Sequence, residues 1–150
     1  MRAVIQRVTR AEVRVDGKSV SSIGPGLAVL VGVAAGDSLD DAVVLADKVV
    51  GLRVFPDGSG KMNLSVVDAG GSILVVSQFT LHGDVRRGRR PSFTAAADPA
   101  FAEPLIESLV GLIERSIPVA SGRFGASMQL DLVNDGPVTI ILEIIDGRVI

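Results

Sequence analysis

Ser77, Gln78 and Thr80 arrive together behind the apolar run Ile73–Val76. That run is too short for a typical helix and rich in β-branched residues, so it reads as a buried strand. A buried strand that ends in hydroxyls and an amide must satisfy them, either on neighbouring backbone or on a ligand in a pocket floor. His82 and Asp84 follow closely and, with Ser77, supply the parts of a nucleophilic triad. Such a triad is defined by geometry, and three members within eight residues of one strand and loop rarely converge. Thr80 could act as a covalent nucleophile instead, but no base is evident to activate it.

Two further stretches carry chemistry. Arg86-Arg87-Gly88-Arg89-Arg90-Pro91-Ser92 sets four guanidiniums in five positions. Arginine grips phosphate oxygens bidentately, so this stretch suits phosphates; the alternative is a solvated loop with local ion pairs. Asn134-Asp135-Gly136-Pro137 reads as a hairpin turn. A Gly–Pro bond can be cis at a cost of only about 0.5–1 kcal/mol. Cis geometry would turn the adjacent carbonyls to one side, where they could accept hydrogen bonds from a ligand amine.

The elements that must position these groups are legible from periodicity. Ala11–Val15 alternates with period two, Asp16-Gly17 supplies a hairpin turn, and Lys18–Ser22 returns. Leu27–Val33 reads as a strand buried on both faces. Gly36-Asp37-Ser38 breaks and caps, and Ala42, Leu45, Ala46, Val49 and Val50 mark an amphipathic helix ending near Gly51. Val54-Phe55 is a short strand before the turn Pro56–Gly60, followed by Lys61–Ser65. Residues 82–97 form a polar, Arg-rich loop. Asp98-Pro99 looks like a cap with Pro in the first helical position. Pro104 then requires either a later start or an irregular first turn. Met128, Leu130 and Leu132 alternate with polar residues, and Val138–Ile145 forms a final apolar strand. Six to eight strands and two helices make the fold α+β, with a mainly antiparallel sheet that could curl into a barrel.

The 150 residues fit one domain, 1–150, long enough to bury roughly 68–70% of its unfolded surface. An apolar content of 47% with no Trp or Tyr describes an aliphatic core. Cys is absent, which removes disulfides and a Cys nucleophile and suits a reducing compartment. One His leaves only scattered carboxylates for a metal, and Gly24, Gly26 and Gly32 form no dinucleotide or P-loop fingerprint, so neither metal nor cofactor is expected. No run approaches ~20 apolar residues and the opening Met1–Arg7 lacks a signal-peptide core, so a soluble cytoplasmic protein is expected. The net charge of −2 gives no global basic field. Arg2, Arg7, Arg10 and Arg14, and the four arginines of residues 86–90, still allow a local phosphate footprint.

Ser77-Gln78-Phe79-Thr80 together with Asn134-Asp135-Gly136-Pro137-Val138-Thr139 resemble the two signature motifs of the D-aminoacyl-tRNA deacylase family. The stretches 5–11, 61–64, 70–72, 87–93 and 122–125 sit in the family's order and spacing, so the resemblance covers essentially the whole chain. It implies a homodimeric hydrolase that removes D-amino acids, and glycine, from the 3′ end of tRNA. It also implies a barrel-like α+β domain with two main helices. Carried over, Gly136 and Pro137 of one subunit would enter the other's site, hold the substrate amine with main-chain carbonyls and exclude an L side chain. Ser77, Gln78, Phe79 and Thr80 would line the ester, Arg7 would brace the Gly–Pro motif, and Asn134 belongs to the same substrate-binding motif. Arg87, Arg89 and Arg90 would meet tRNA phosphates. An aminoacyl ester is already activated, so placed backbone N–H groups at Phe79 and Thr80 could serve as an oxyanion hole without Cys or His. A non-catalytic RNA-binding module using the Arg loop and a serine esterase using His82 are the competing readings.

Overall fold

The computed structural model describes residues 1–150. The chain opens with β1 (Arg2–Val15), turns at Asp16-Gly17 and returns as β2 (Lys18–Ile23). Both turn residues have positive φ, 50° and 73°, the twist a two-residue hairpin needs. β3 (Gly26–Gly32) then pairs with the first half of β1, while β2 pairs with its second half. Helix α1 (Leu39–Gly51) follows, its first turn closed by Asp41, whose carboxylate accepts the Ser38 N–H at 2.7 Å and the Ser38 hydroxyl at 2.9 Å.

The minor hairpin β4 (Phe55–Pro56) and β5 (Met62–Leu64) leads to β6 (Ser72–Ser77) and a 3-10 turn at Phe79–His82. Helix α2 (Pro99–Glu114), β7 (Val119–Ser121), β8 (Gln129–Ile145) and β9 (Arg148–Val149) complete the chain. Helix α2 starts at Pro99 and continues through Pro104. Pro104 forfeits only the hydrogen bond to Ala100, and both residues are exposed, so water can take that carbonyl.

The main sheet runs β7-β6-β3-β1-β8-β9, with β2 beside β1. The pairs β3–β6 and β6–β7 are parallel and the others antiparallel, so the sheet is mixed. No closed barrel forms, which corrects the barrel-like expectation. The sheet curls until β2 approaches β7, yet the Ser21 hydroxyl donating to the Ser121 carbonyl at 2.8 Å stands where a backbone ladder would be needed.

The second correction concerns Asn134–Pro137. These residues do not reverse the chain. Both arms of β8 pair antiparallel with the same strand, Val133 with Arg10 and Thr139 with Gln6. Asp135–Val138 is therefore a bulge extruded from a continuous strand, and it re-aims the backbone without ending the pairing.

The helices cover one face of the sheet, where Ile5, Val29, Val31, Val75, Leu45, Leu109 and Ile113 form the main core. A smaller cluster of Val8, Ala11, Val13, Ala28, Leu74 and Val76 lies apart from it. The Met1 ammonium is buried and held by Asp37 Oδ1 at 2.6 Å and the Ile144 carbonyl at 2.7 Å. No helix is long and apolar enough to cross a membrane.

Candidate active site

β6 ends where the Gln78 N–H donates to the Val31 carbonyl at 2.7 Å. The 3-10 turn then closes through Leu81 N–H to Gln78 O at 3.2 Å and Gly83 N–H to Thr80 O at 2.9 Å. Arg2 fastens the turn from outside: one Nη donates to the Leu81 carbonyl at 2.7 Å and the other to Glu143 at 2.6 Å. Gly32 supports it from below. A β-carbon there would lie 2.9 Å from Gln78 O and 3.0 Å from the His82 ring. The N–H groups of Phe79 and Thr80 head the turn, where no intrahelical acceptor exists, and they find none elsewhere in the protein.

Beside this turn lies an apolar cavity of about 570 Å³. Ser77, Gln78 and Phe79 form one wall; Leu30, Phe93 and Phe124 are among the others. Phe79 and Phe93 meet edge-to-face with centroids 5.1 Å apart. Thr80 stands just outside, its hydroxyl accepting from Gln78 Nε2.

The bulge is fastened independently. Asn134 Oδ1 accepts the Val138 N–H at 3.1 Å and its Nδ2 donates to the Val138 carbonyl at 3.2 Å, replacing the ladder bonds the bulge gives up. Arg7 lies beneath, donating to the Asp135 carbonyl at 3.2 Å and to the Val54 carbonyl at 2.5 Å. Gly136 has φ +126°, the Gly136–Pro137 bond is cis, and both residues are exposed. Neither Gly136 nor Pro137 lines the cavity. Three strand spacings and four residues along the strands separate the bulge from Ser77, roughly 19 Å from standard sheet dimensions. One chain does not bring the two motifs together.

The triad does not assemble. His82 packs against Gly32 with Nε2 buried and unpartnered, while Asp84 is held by Arg86 through Nε at 2.9 Å and Nη2 at 2.7 Å. These bonds, with that from the Arg86 backbone N–H, draw the Asp84 carboxyl down to about 2. Arg87, Arg89 and Arg90 are exposed and form no ion pair. No three His, Cys, Asp or Glu side chains converge in a way that could hold a metal ion.

Comparison with known proteins gives this geometry a family. The model described as D-Tyr-tRNA(Tyr) deacylase matches residues 4–143. The chain belongs to this deacylase family. It is 56% identical over 144 residues to a protein of Anaeromyxobacter dehalogenans named D-aminoacyl-tRNA deacylase, covering 95% of this chain and 97% of that one. A protein of the same name from Carboxydothermus hydrogenoformans is 54% identical over 145 residues, covering 96% and 100%. A solved structure titled c-Myc DNA Unwinding Element Binding Protein superposes with a TM-score of 0.91 at 43% identity, over 95% of this chain and 98% of that one. A probable eukaryotic D-amino acid tRNA deacylase shares the fold with a TM-score of 0.80 at 18% identity, over 93% and 97%.

Sequence reasoning placed Phe79 at the ester but missed the cavity's other aromatic walls, Phe93 and Phe124. Three of the five phenylalanines, Phe79, Phe93 and Phe124, line one cavity in a chain without Trp or Tyr. The scarcity of aromatic residues was the available signal, while the convergence of these three on one cavity is a product of the fold. The Val54 carbonyl as an anchor for Arg7 left no local trace.

Proposed function

We propose that the chain hydrolyses the ester joining a D-amino acid, or mis-attached glycine, to the 3′ end of tRNA. The observation that carries this is the unpaired Phe79 and Thr80 N–H pair at the edge of the apolar cavity. In the reaction, water attacks the ester carbonyl and the two N–H groups receive the developing oxyanion. One such donor is typically worth about 2.7–4 kcal/mol. The terminal ribose 2′-OH orients the water. Thr80 is a poorer nucleophile candidate because Gln78 occupies its hydroxyl and no base adjoins it.

Chirality is read by the Gly136–Pro137 backbone. Its carbonyls take the substrate amine and leave no room for an L side chain. A missing methylene in a side-chain pocket yields only ~1–3 kcal/mol, whereas a rigid clash is not bounded that way. Glycine has nothing to clash and passes.

The bulge comes from a second copy of the chain. Its separation from Ser77 within one subunit supports this, as does an apolar strip across adjacent strands. Leu30 pairs with Val4 and Val4 with Ile141, and Ile141 is 68% exposed. Leu30 also lines the cavity, so the strip leads to its mouth. The arginines Arg87, Arg89 and Arg90 take tRNA phosphates.

Incubation with D-, L- and glycyl-tRNA tests the reading. Release from the D and glycyl esters with the L ester intact is expected; equal hydrolysis of D and L esters, or of neither, would sink it. Ile141→Asp should yield a folded, inactive monomer by sedimentation. A non-catalytic nucleic-acid-binding module is the second reading, favoured by the free arginines and by the DNA-element title of the 43% identical structure. It requires binding without ester cleavage.

A further inference from the structure

We propose that a notch behind the cavity holds the phosphodiester joining the last two nucleotides of the tRNA 3′ end, an inference that rests on the deacylase reading. The notch has a volume of about 480 Å³ and is lined by Asp84, Arg86, Arg87, Arg90, Ser92 and Thr94. Its neck is closed by paired backbone bonds between Asp84 and Ser92, at 2.8 and 2.9 Å.

The charges in the notch are not equivalent. Asp84 is saturated by three N–H groups of Arg86, so these two cancel and form a wall. Arg87 and Arg90 have no acceptor in the protein, and the hydroxyls of Ser92 and Thr94 stand beside them. Two free guanidiniums and two hydroxyls match the non-bridging oxygens of one phosphate. Arg89 lies outside the notch and is left to a phosphate further along the strand.

Position selects the phosphate. Ser92 and Thr94 line the notch, while Phe93 between them lines the cavity against Phe79. The chain turns directly after Phe93, whose carbonyl accepts the Ala96 N–H at 3.0 Å, so a single stretch of backbone, residues 92–94, separates the notch from the cavity. A terminal nucleoside carrying its ester into the cavity has its 5′-phosphate within reach of the notch; more distant phosphates lie beyond it.

The test compares three D-aminoacyl esters: of full tRNA, of cytidylyl-adenosine and of adenosine, the last without a phosphate. For wild-type protein, kcat/KM on the dinucleotide ester should exceed that on the adenosine ester about tenfold or more. KM for the dinucleotide ester should rise more steeply with salt than KM for the adenosine ester, because only the former carries a charge that salt screens. The Arg87→Gln/Arg90→Gln variant should bring the ratio close to one, while Lys48→Gln, at an exposed position of α1, keeps the wild-type ratio. A neutral methylphosphonate linkage should reduce the dinucleotide to the adenosine level with no mutation at all. A wild-type ratio of one, a ratio that survives the double substitution, or a methylphosphonate as good as the phosphodiester each overturns the notch assignment while the deacylase reading stands. If wild type cleaves none of the three esters, the deacylase reading falls and takes this inference with it.

Discussion

The Nε of Arg7 lies 3.2 Å from the main-chain carbonyl of Asp135 and 3.2 Å from a carboxylate oxygen of the same residue. With one Nη on the Val54 carbonyl, the guanidinium ties the bulge in β8 to the segment that enters the minor hairpin. The Arg7 side chain is only 11% exposed and Val54 is buried, so the Val54 carbonyl has little water to fall back on, whereas the Asp135 carboxylate is half-exposed.

Replacing Arg7 should therefore separate shape from charge. Lys carries the charge but lacks the planar fork that reaches two acceptors at once. Arg7→Lys is expected to lower kcat/KM on D-aminoacyl-tRNA about tenfold or more. Arg7→Met, which leaves the Val54 carbonyl unpaired, should in addition cost about 1–3 kcal/mol in denaturant unfolding. A fully active Arg7→Lys enzyme would remove Arg7 from the positioning of the bulge.

Gly136 should tolerate no side chain. Its φ of +126° is essentially closed to L residues, and a β-carbon would lie 2.8 Å from Val138 Cγ2, 3.0 Å from Val138 N and 3.1 Å from Arg7 Nη2. Gly136→Ala is expected to cost about 1–3 kcal/mol of stability and to lose D-ester hydrolysis. Ser77→Ala should be mild, because the proposed donors are backbone groups. Kinetics that ranked Ser77→Ala as the more damaging change would point to a nucleophilic serine.

How far the fold was legible depended on the range of the interaction. The Asp16-Gly17 hairpin, the cap at Ser38 and the start of α2 at Asp98-Pro99 are local chemistry, and each could be read from neighbouring residues. The Asn134–Pro137 bulge could not. Its turn residues suit a hairpin equally well, and only the pairing of both β8 arms with β1 tells the two apart. The parallel placement of β6 beside β3 is likewise a matter of topology. At the site, the apolar run and its polar end were visible in Ile73–Thr80. The 3-10 turn was not, since it depends on Arg2 and Gly32, more than forty positions away.

Asp84 and Arg86 predict a pH response of the Arg loop. Hydrogen bonds from the Arg86 side chain, then from its backbone N–H, lower the Asp84 carboxyl from 3.8 to about 2. The folded value lies below the unfolded one, so the pair's ordering effect is complete above the ordinary value. It is lost as pH falls from there through about 2. A carboxyl-carbon NMR titration should place the Asp84 midpoint near 2, and Arg86→Gln should return it toward 3.8. A wild-type midpoint at the ordinary value would show that the pair does not persist in solution.

The 3-10 turn offers a test that separates positioning from side-chain catalysis. Gly32 is buried at the end of β3, and an added methyl would meet the Gln78 carbonyl at 2.9 Å and the His82 ring at 3.0 and 3.1 Å. The ring can swing aside. The carbonyl cannot move freely, because it accepts the Leu81 N–H that closes the turn. Gly32→Ala should therefore lift Phe79 and Thr80, and a misplacement of about 1 Å costs on the order of 100-fold in rate. The expected signature is a fall in kcat with KM little changed. His82→Ala should retain activity within about tenfold of wild type, since its Nε2 touches no partner and no reacting group. In Gly32→Ala/His82→Ala, loss of the ring relieves one clash but not the backbone one, so kcat should recover only in part. An inactive but folded His82→Ala protein would return the imidazole to the chemistry, and a fully active Gly32→Ala protein would detach the turn from it.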